Sequence, residues 1–277
     1  MSPKTLHAQF GLKWNPFTAD APLENFILDS PFEHFAWRVE QLTQQGGFAL
    51  ITGESGTGKS TALRLLVHRL SELPELQVRL LSRPQGFVGD CYRELGDLFG
   101  IALVPHNRWA GTKLLRQRWL AHIESTRLRP VLVVDEAQES STAVLNELRL
   151  LASVDLDSRL LLTVVLAGDP RLNDRLRSPE LLPLGTRLRA RLHLPSAAPE
   201  QLALLLDHSL AAAGNSQLMT EELRQALCTH AAGNRRVLMN LCADLLCLAV
   251  ERKLQKLDEQ LFFEIAPPAT RSQAKRR

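Results

Sequence analysis

An apolar run, Phe48-Ala49-Leu50-Ile51, is followed by Gly53-Glu54-Ser55-Gly56-Thr57-Gly58-Lys59-Ser60, and then by apolar positions at Ala62, Leu63, Leu65 and Leu66. That order predicts a buried strand, a glycine loop and a helix in direct succession. The glycines let the backbone curl so that successive N–H groups face one anion. The loop also delivers that anion to a helix N-terminus, where the dipole favours negative charge. With strand and helix on the correct sides, the octet is a Walker A motif. Residues 53–61, from Gly53 to Thr61, are predicted to cradle the phosphates of a nucleoside triphosphate. Lys59 would reach the outer phosphates, and Ser60 would hold Mg²⁺ through its hydroxyl.

A second run, Val131-Leu132-Val133-Val134, is too short for a helix and suits a buried parallel strand. It ends in Asp135-Glu136, a Walker B arrangement. Asp135 would complete the Mg²⁺ shell through water. Glu136 would orient and polarise the attacking water, because phosphoryl transfer depends mainly on positioning and charge. An aspartate at a strand-to-helix junction can equally serve as an N-cap; the Walker A motif upstream favours the catalytic reading.

With 277 residues, 45% of them hydrophobic, the chain can build one large core and a smaller second domain. No apolar run reaches the eighteen or so residues that span a bilayer. The N-terminal Met1-Ser2-Pro3-Lys4 lacks the apolar centre of a secretory signal. Cys91, Cys228, Cys242 and Cys247 show no ligand spacing, and three of them fall among helical apolar residues. Buried thiols and a cytoplasmic location are expected. The eight histidines show no metal-ligand pairing, and no Gly-x-Ser-x-Gly elbow is present.

The net charge of +3 does not itself define a partner, but arginines cluster. Six lie between Arg171 and Arg191, and a second group comprises Arg108, Lys113, Arg116 and Arg118. Each cluster is either a solvated face or a phosphate contact. Trp109 and Trp119 each follow an arginine and could stack on bases, though a buried position suits Trp119 better.

The chain shows no internal repeat. Residues 1–45 read as an N-terminal segment ending in a helix from Pro31 to about Gln45. Residues 46–195 read as a phosphate-loop α/β domain, with strands at Phe48–Ile51, Val78–Leu81, Val131–Val134, Leu160–Leu166 and Leu188–Leu194. Helices include one near Thr112–Ser125 and another near Thr142–Ser153. Such alternation predicts a five-stranded parallel sheet flanked by helices. After Pro195 only helices follow: Pro199–Ala213, Thr220–Ala231, Arg235–Glu251 and one near Asp258–Glu264. Residues 196–265 are therefore expected to form a small all-helical lid, and 266–277 a disordered basic tail.

This layout resembles the AAA+ P-loop NTPases. Phe10-Gly11-Leu12, Asn15-Pro16-Phe17, the block from Gly47 to Ser60, and Val-Val-Asp-Glu-Ala-Gln are similar to the ExeA-type AAA+ ATPases. Leu166-Ala167-Gly168-Asp169-Pro170-Arg171-Leu172 and Gly233-Asn234-Arg235-Arg236 match less closely. The resemblance covers roughly residues 8–250. It implies that Asn15, Pro16 and Phe17 line an adenine pocket, with Phe17 alternatively a hydrophobic anchor. It places sensor 1 at Asp169 or Thr163, although relatives usually carry Gln or Asn where Asp169 stands, and a carboxylate donates only when protonated. Sensor 2 corresponds to Arg236. The subunit-interface arginine falls at Arg187, with Arg191 as the alternative.

The family includes a secretion-pathway ATPase and the helper ATPases of DDE transposons. The expected function is an ATP-hydrolysing homo-oligomer, ring or filament, that assembles on double-stranded DNA with ATP and Mg²⁺ and assists a transposase. Lys113, Arg116 and Arg118 are the candidate DNA contacts, and no membrane association is expected. The alternatives are a secretion-type ATPase, disfavoured by the lack of an apolar span before Arg277, and a nucleotide switch without DNA.

Overall fold

The computed structural model describes residues 3–103, 107–154 and 158–265. His106 and the expected basic tail lie outside them. In chain order the helices are α1 (Pro3–Phe10), α2 (Ser30–Thr43), α3 (Lys59–Ser71), α4 (Val88–Phe99), α5 (Arg108–Ser125), α6 (Thr142–Ala152), α7 (Arg171–Arg177), α8 (Leu182–Gly185), α9 (Pro199–Ala213), α10 (Glu221–Ala231), α11 (Arg235–Glu251) and α12 (Glu259–Ile265). The strands are β1 (Gly47–Gly53), β2 (Leu76–Leu81), β3 (Arg129–Val134), β4 (Ser153–Val154), β5 (Arg159–Leu160), β6 (Thr163–Gly168) and β7 (Leu188–Leu194).

Two compact units result: residues 28–195, and residues 3–27 together with 196–265. The expected N-terminal piece is thus divided, residues 3–27 falling in one unit and 28–45 in the other. Phe32, Phe35, Ala36 and Val39 of α2 bury with the sheet, whereas Leu6, Phe10, Leu12 and Phe17 bury with the C-terminal helices.

The larger unit is an α/β sandwich. Among the described residues the five strands of its main sheet are all parallel, in the order β2-β3-β6-β1-β7. Every residue of β1 and β6 is buried, as expected of central strands covered on both faces. Alternation sorts the side chains. Phe48, Leu50, Leu132, Val134, Val164 and Leu166 meet α4, α5 and α6, while Ala49, Ile51, Val131, Val133 and Val165 meet α2 and α3. The edge strand β7 alternates buried Ala190, Leu192 and Leu194 with exposed Arg189, Arg191 and His193. Trp119 is wholly buried and meets Phe99 edge to face, so it is a core residue.

The fourth strand of the sheet differs from expectation. It begins at Thr163, because Arg159 and Leu160 pair antiparallel with Val154 and Ser153. That side ladder also ends α6 at Ala152, one residue earlier than its apolar pattern suggested. Pairing partners, not local composition, set both boundaries.

The helical unit packs α9–α12 around Leu206, Leu210, Leu227, Leu238, Cys242 and Leu246. The N-terminal segment is fastened to it by backbone groups. Gln9 Nε2 donates to the carbonyls of Ala249 and Leu254, and Asn215 Nδ2 donates to that of Phe10. Capping is regular: Thr220 accepts from Leu223 N–H, and Asn234 from the N–H groups of Arg236 and Val237. No helix among the described residues is long and apolar enough to cross a membrane.

The cysteines divide differently from the sequence pattern. Cys91, Cys228 and Cys242 are buried, and Cys247, on the outer face of α11, is exposed. Burial pushes the Cys91 thiol up to about 12 and raises those of Cys228 and Cys242 as well. A thiolate-selective reagent at pH 8 should therefore titrate a single thiol in the native protein and all four after denaturation. Rapid native reaction of a second thiol would contradict this packing.

Candidate nucleotide site

The phosphate loop turns from the carboxyl end of β1 into α3. Gly56 and Gly58 take φ of +84° and +100°, in the left-handed region that glycine occupies without penalty. Thr57 braces the turn by donating from its hydroxyl to Glu54 O at 2.9 Å. Gly58 is the N-cap of α3 and offers no side-chain acceptor. The first-turn N–H groups therefore lack an internal cap and point toward whatever anion the loop receives.

Lys59 is 7% exposed, and its ammonium donates to the carbonyls of Gly53 and Glu54 at 2.9 and 3.0 Å. Among the described residues no carboxylate forms an ion pair with it. A buried cation satisfied only by neutral carbonyls is poised for an anionic partner, since charged groups are costly to bury unpaired. The loop thus fits the phosphates of a nucleotide. The expected extended reach of Lys59 is replaced here by a fold back onto its own loop.

Ser60, the next residue, donates from Oγ to Asp135 Oδ2 at 2.9 Å across 75 positions of sequence. The two expected Mg²⁺ residues therefore meet, one from the head of α3 and one from the tip of β3. The pairing follows from topology: β3 and β1 both flank β6, and all three run parallel. A hard cation bound through one hydroxyl, one carboxylate and phosphate oxygens suits Mg²⁺.

Glu136 is exposed and has φ +49°, a left-handed conformation uncommon outside glycine and asparagine. Its N–H donates to Asp135 Oδ1 at 2.8 Å. Its carboxylate accepts from Gln138 Nε2. Gln138 ends the block Val-Val-Asp-Glu-Ala-Gln that carries the family resemblance, but nothing in the sequence assigns it a role.

Asp169 lies at the tip of β6 and does not behave as a hydrogen-bond donor. The Arg171 guanidinium, with Nε 2.8 Å from Asp169 Oδ2, holds its carboxyl below the usual carboxylate range, and Lys59 adds to that effect. Thr163 is buried at the start of β6, opposite Gly47, and so lies at the far end of the sheet from the loop.

Arg187 and Arg191 flank the start of β7, where both donate to carbonyls of the α8 turn, of Pro183 and Gly185 respectively. The register sets Leu188 beside Phe48 and Arg191 beside Leu50. Arg187 precedes Leu188 and so lies level with Gly47, six residues or roughly 20 Å along the strand, at about 3.3 Å per residue, from the loop that follows Gly53. At that distance the Arg187 side chain does not reach the phosphate loop of its own chain.

The remaining candidates fall on other segments of the chain. Phe17 is 4% exposed in the helical core, and Asn15 Oδ1 accepts from its N–H at 3.0 Å. Arg236 is exposed on the first turn of α11. On α5, Lys113 and Arg118 face solvent, and Lys113 lies over the ring of Trp109, itself 76% exposed. Arg116 instead turns inward, its guanidinium donating to the carbonyls of Leu150 and Ser153 at the end of α6. Phe87, at the head of α4, is 83% exposed and escaped the sequence reading because no pattern separates it from a core aromatic.

Fold and site together define an AAA+ P-loop ATPase. Residues 42–176 match the family described as AAA domain. The chain is 33% identical over 254 residues to General secretion pathway protein A of Aeromonas hydrophila, covering 90% of this chain and 45% of that protein. It therefore spans less than half that relative's length. Among solved structures, the Aeropyrum pernix ORC2 protein in its ADPNP-ADP complexes superposes with a TM-score of 0.70 at 14% identity, over 90% of this chain and 70% of that one. The Aeropyrum pernix ORC1 protein in complex with DNA gives 0.69 at 16% identity, over 90% and 67%. At those identities the likeness shows the fold. The chain belongs to the ExeA-type family of AAA+ ATPases.

Proposed function

We propose that this protein binds ATP with Mg²⁺ in the loop 53–61, hydrolyses it with Glu136, and works as a homo-oligomer on double-stranded DNA as the ATPase partner of a transposase. The observation that carries the ATPase reading is the 2.9 Å hydrogen bond from Ser60 to Asp135 beside the buried ammonium of Lys59. Cation, metal ligands and water-orienting carboxylate then surround one uncapped helix N-terminus. Bound Mg²⁺ would supply neutralisation of phosphate charge. The chain's own part is to hold the outer phosphates with Lys59 and the loop N–H groups, and to present Glu136 to the attacking water.

In this reading Arg187, with Arg191 as the alternative, completes a neighbour's site, and ATP thereby links nucleotide state to assembly. The DNA reading draws support from exposed Lys113 and Arg118 on α5, and from a hollow of about 380 Å³ that gathers Arg129, Arg159 and Arg189. Such groups hold phosphates without reading sequence. Arg116, committed to α6, falls outside the proposed contact set.

The 33% identity to a general secretion pathway protein supports a second reading, an ATPase that drives a secretion component without DNA. Sedimentation with duplex DNA, ADP or a slowly hydrolysed ATP analogue separates the two. The DNA reading expects large complexes only with the analogue and DNA, dispersed as salt rises from about 50 to 200 mM through release of counterions. Assembly indifferent to DNA would favour the secretion reading.

A further inference from the structure

Gln138 joins the ends of two neighbouring strands. Its Nε2 donates to the Glu136 carboxylate, at the tip of β3, and its Oε1 accepts from the N–H of Asp169, at the tip of β6, at 3.1 Å. The two bonds fix the amide's orientation. Turning it over would set an oxygen against a carboxylate and an NH₂ against an N–H.

The seat for this amide is built into the fold. A Cβ on Gly168 would come within 2.6 Å of Gln138 Oε1, so glycine there makes room for the approach. The backbone of Gln138 is held as well. Arg175 donates to the carbonyls of Gln138 and Ser140, which fastens the turn Ala137–Glu139 to α7. Arg171 ties Asp169 to Glu139 through contacts of 2.6 and 3.1 Å. Glu136, by contrast, is exposed and stands in a left-handed conformation that its own backbone does not favour. The braced side chain thus sets the exposed one.

We propose that Gln138 is a positioning residue for ATP hydrolysis: its amide fixes one oxygen of the Glu136 carboxylate, leaves the other for the attacking water, and ties both to the tip of β6. The proposal rests on Glu136 being the water-orienting group. It predicts that hydrolysis, but not nucleotide binding, depends on Gln138.

The test measures steady-state phosphate release and ATP affinity for Gln138→Ala and Gln138→Glu, each alone and combined with Glu136→Gln. Losing a hydrogen bond to a charged group should lower kcat about 10- to 100-fold in Gln138→Ala, with ATP affinity within about threefold. Gln138→Glu keeps the volume but cannot donate while ionised, so it should lose at least as much. Added to Glu136→Gln, neither change should reduce turnover further, because groups that act as one unit are not additive. Gly168→Ala should reproduce the kcat loss by displacing the amide.

Turnover of Gln138→Ala within about twofold of the parent, or parent-like turnover of Gln138→Glu, would overturn the proposal, as would kcat and affinity falling in parallel. Parent-like hydrolysis by Glu136→Gln would remove the underlying reading and this proposal together. Loss in Glu136→Gln with intact Gln138 variants would overturn the Gln138 assignment alone.

Discussion

Glu136→Gln should cut ATP turnover by about 100-fold or more while leaving ATP affinity within about threefold, as expected when a group acts on the attacking water and not on the bound phosphates. The substitution keeps the volume and the acceptor oxygen that Gln138 engages. It removes the charge that polarises water and the site that receives its proton. The side chain is exposed, so the fold should not suffer. ATP should then persist on the protein and hold assemblies together. Single-turnover phosphate release beside equilibrium ATP titration checks this, and parent-like release would show that another group directs the water.

Lys59→Ala should act one step earlier. The ammonium is buried, held by Gly53 O and Glu54 O, and placed in the concave face of the loop. Losing charge-assisted bonds to two phosphates should weaken ATP binding about 100-fold or more. Glu54 is exposed but Gly53 is buried at the end of β1, so leaving its carbonyl without the ammonium should cost about 1–3 kcal/mol of stability in the absence of nucleotide. Stabilisation by saturating ATP should disappear, since ligand stabilisation follows affinity. Calorimetric titration of ATP with Mg²⁺ measures the first effect and thermal unfolding the second. Undiminished ATP affinity would remove the loop from the site.

Much of this site could be read in the sequence because its chemistry is local. A loop of glycines between a strand and a helix, and a carboxylate pair at the end of an apolar run, carry their own context. The loop's partner was harder to see. The meeting of Ser60 with Asp135 depends on β3 and β1 lying on either side of β6, which no local pattern encodes. Gln138 stands in the block Val-Val-Asp-Glu-Ala-Gln, but its contacts could not be read there, since they arise from Gly168 and Asp169 at another strand.

The fold was legible at the level of strands and long amphipathic helices; α9 and α11 run over the residues their apolar spacing indicates. Short elements escaped. Helix α1 has eight residues and α7 seven, too few for periodicity to register, and the two-residue ladder of β4 and β5 exists only through pairing. Arg116 shows the limit for charge patterns. Spacing alone could not tell a solvated arginine from one that caps the neighbouring helix with its guanidinium.

The decisive measurement is phosphate release from Mg²⁺-ATP, with and without duplex DNA at low salt and with Glu136→Gln as the blank. Turnover should appear in the parent protein, fall to background in Glu136→Gln, and be stimulated by DNA in a way that fades as salt rises. Turnover equal in both proteins and indifferent to DNA would contradict the proposed function.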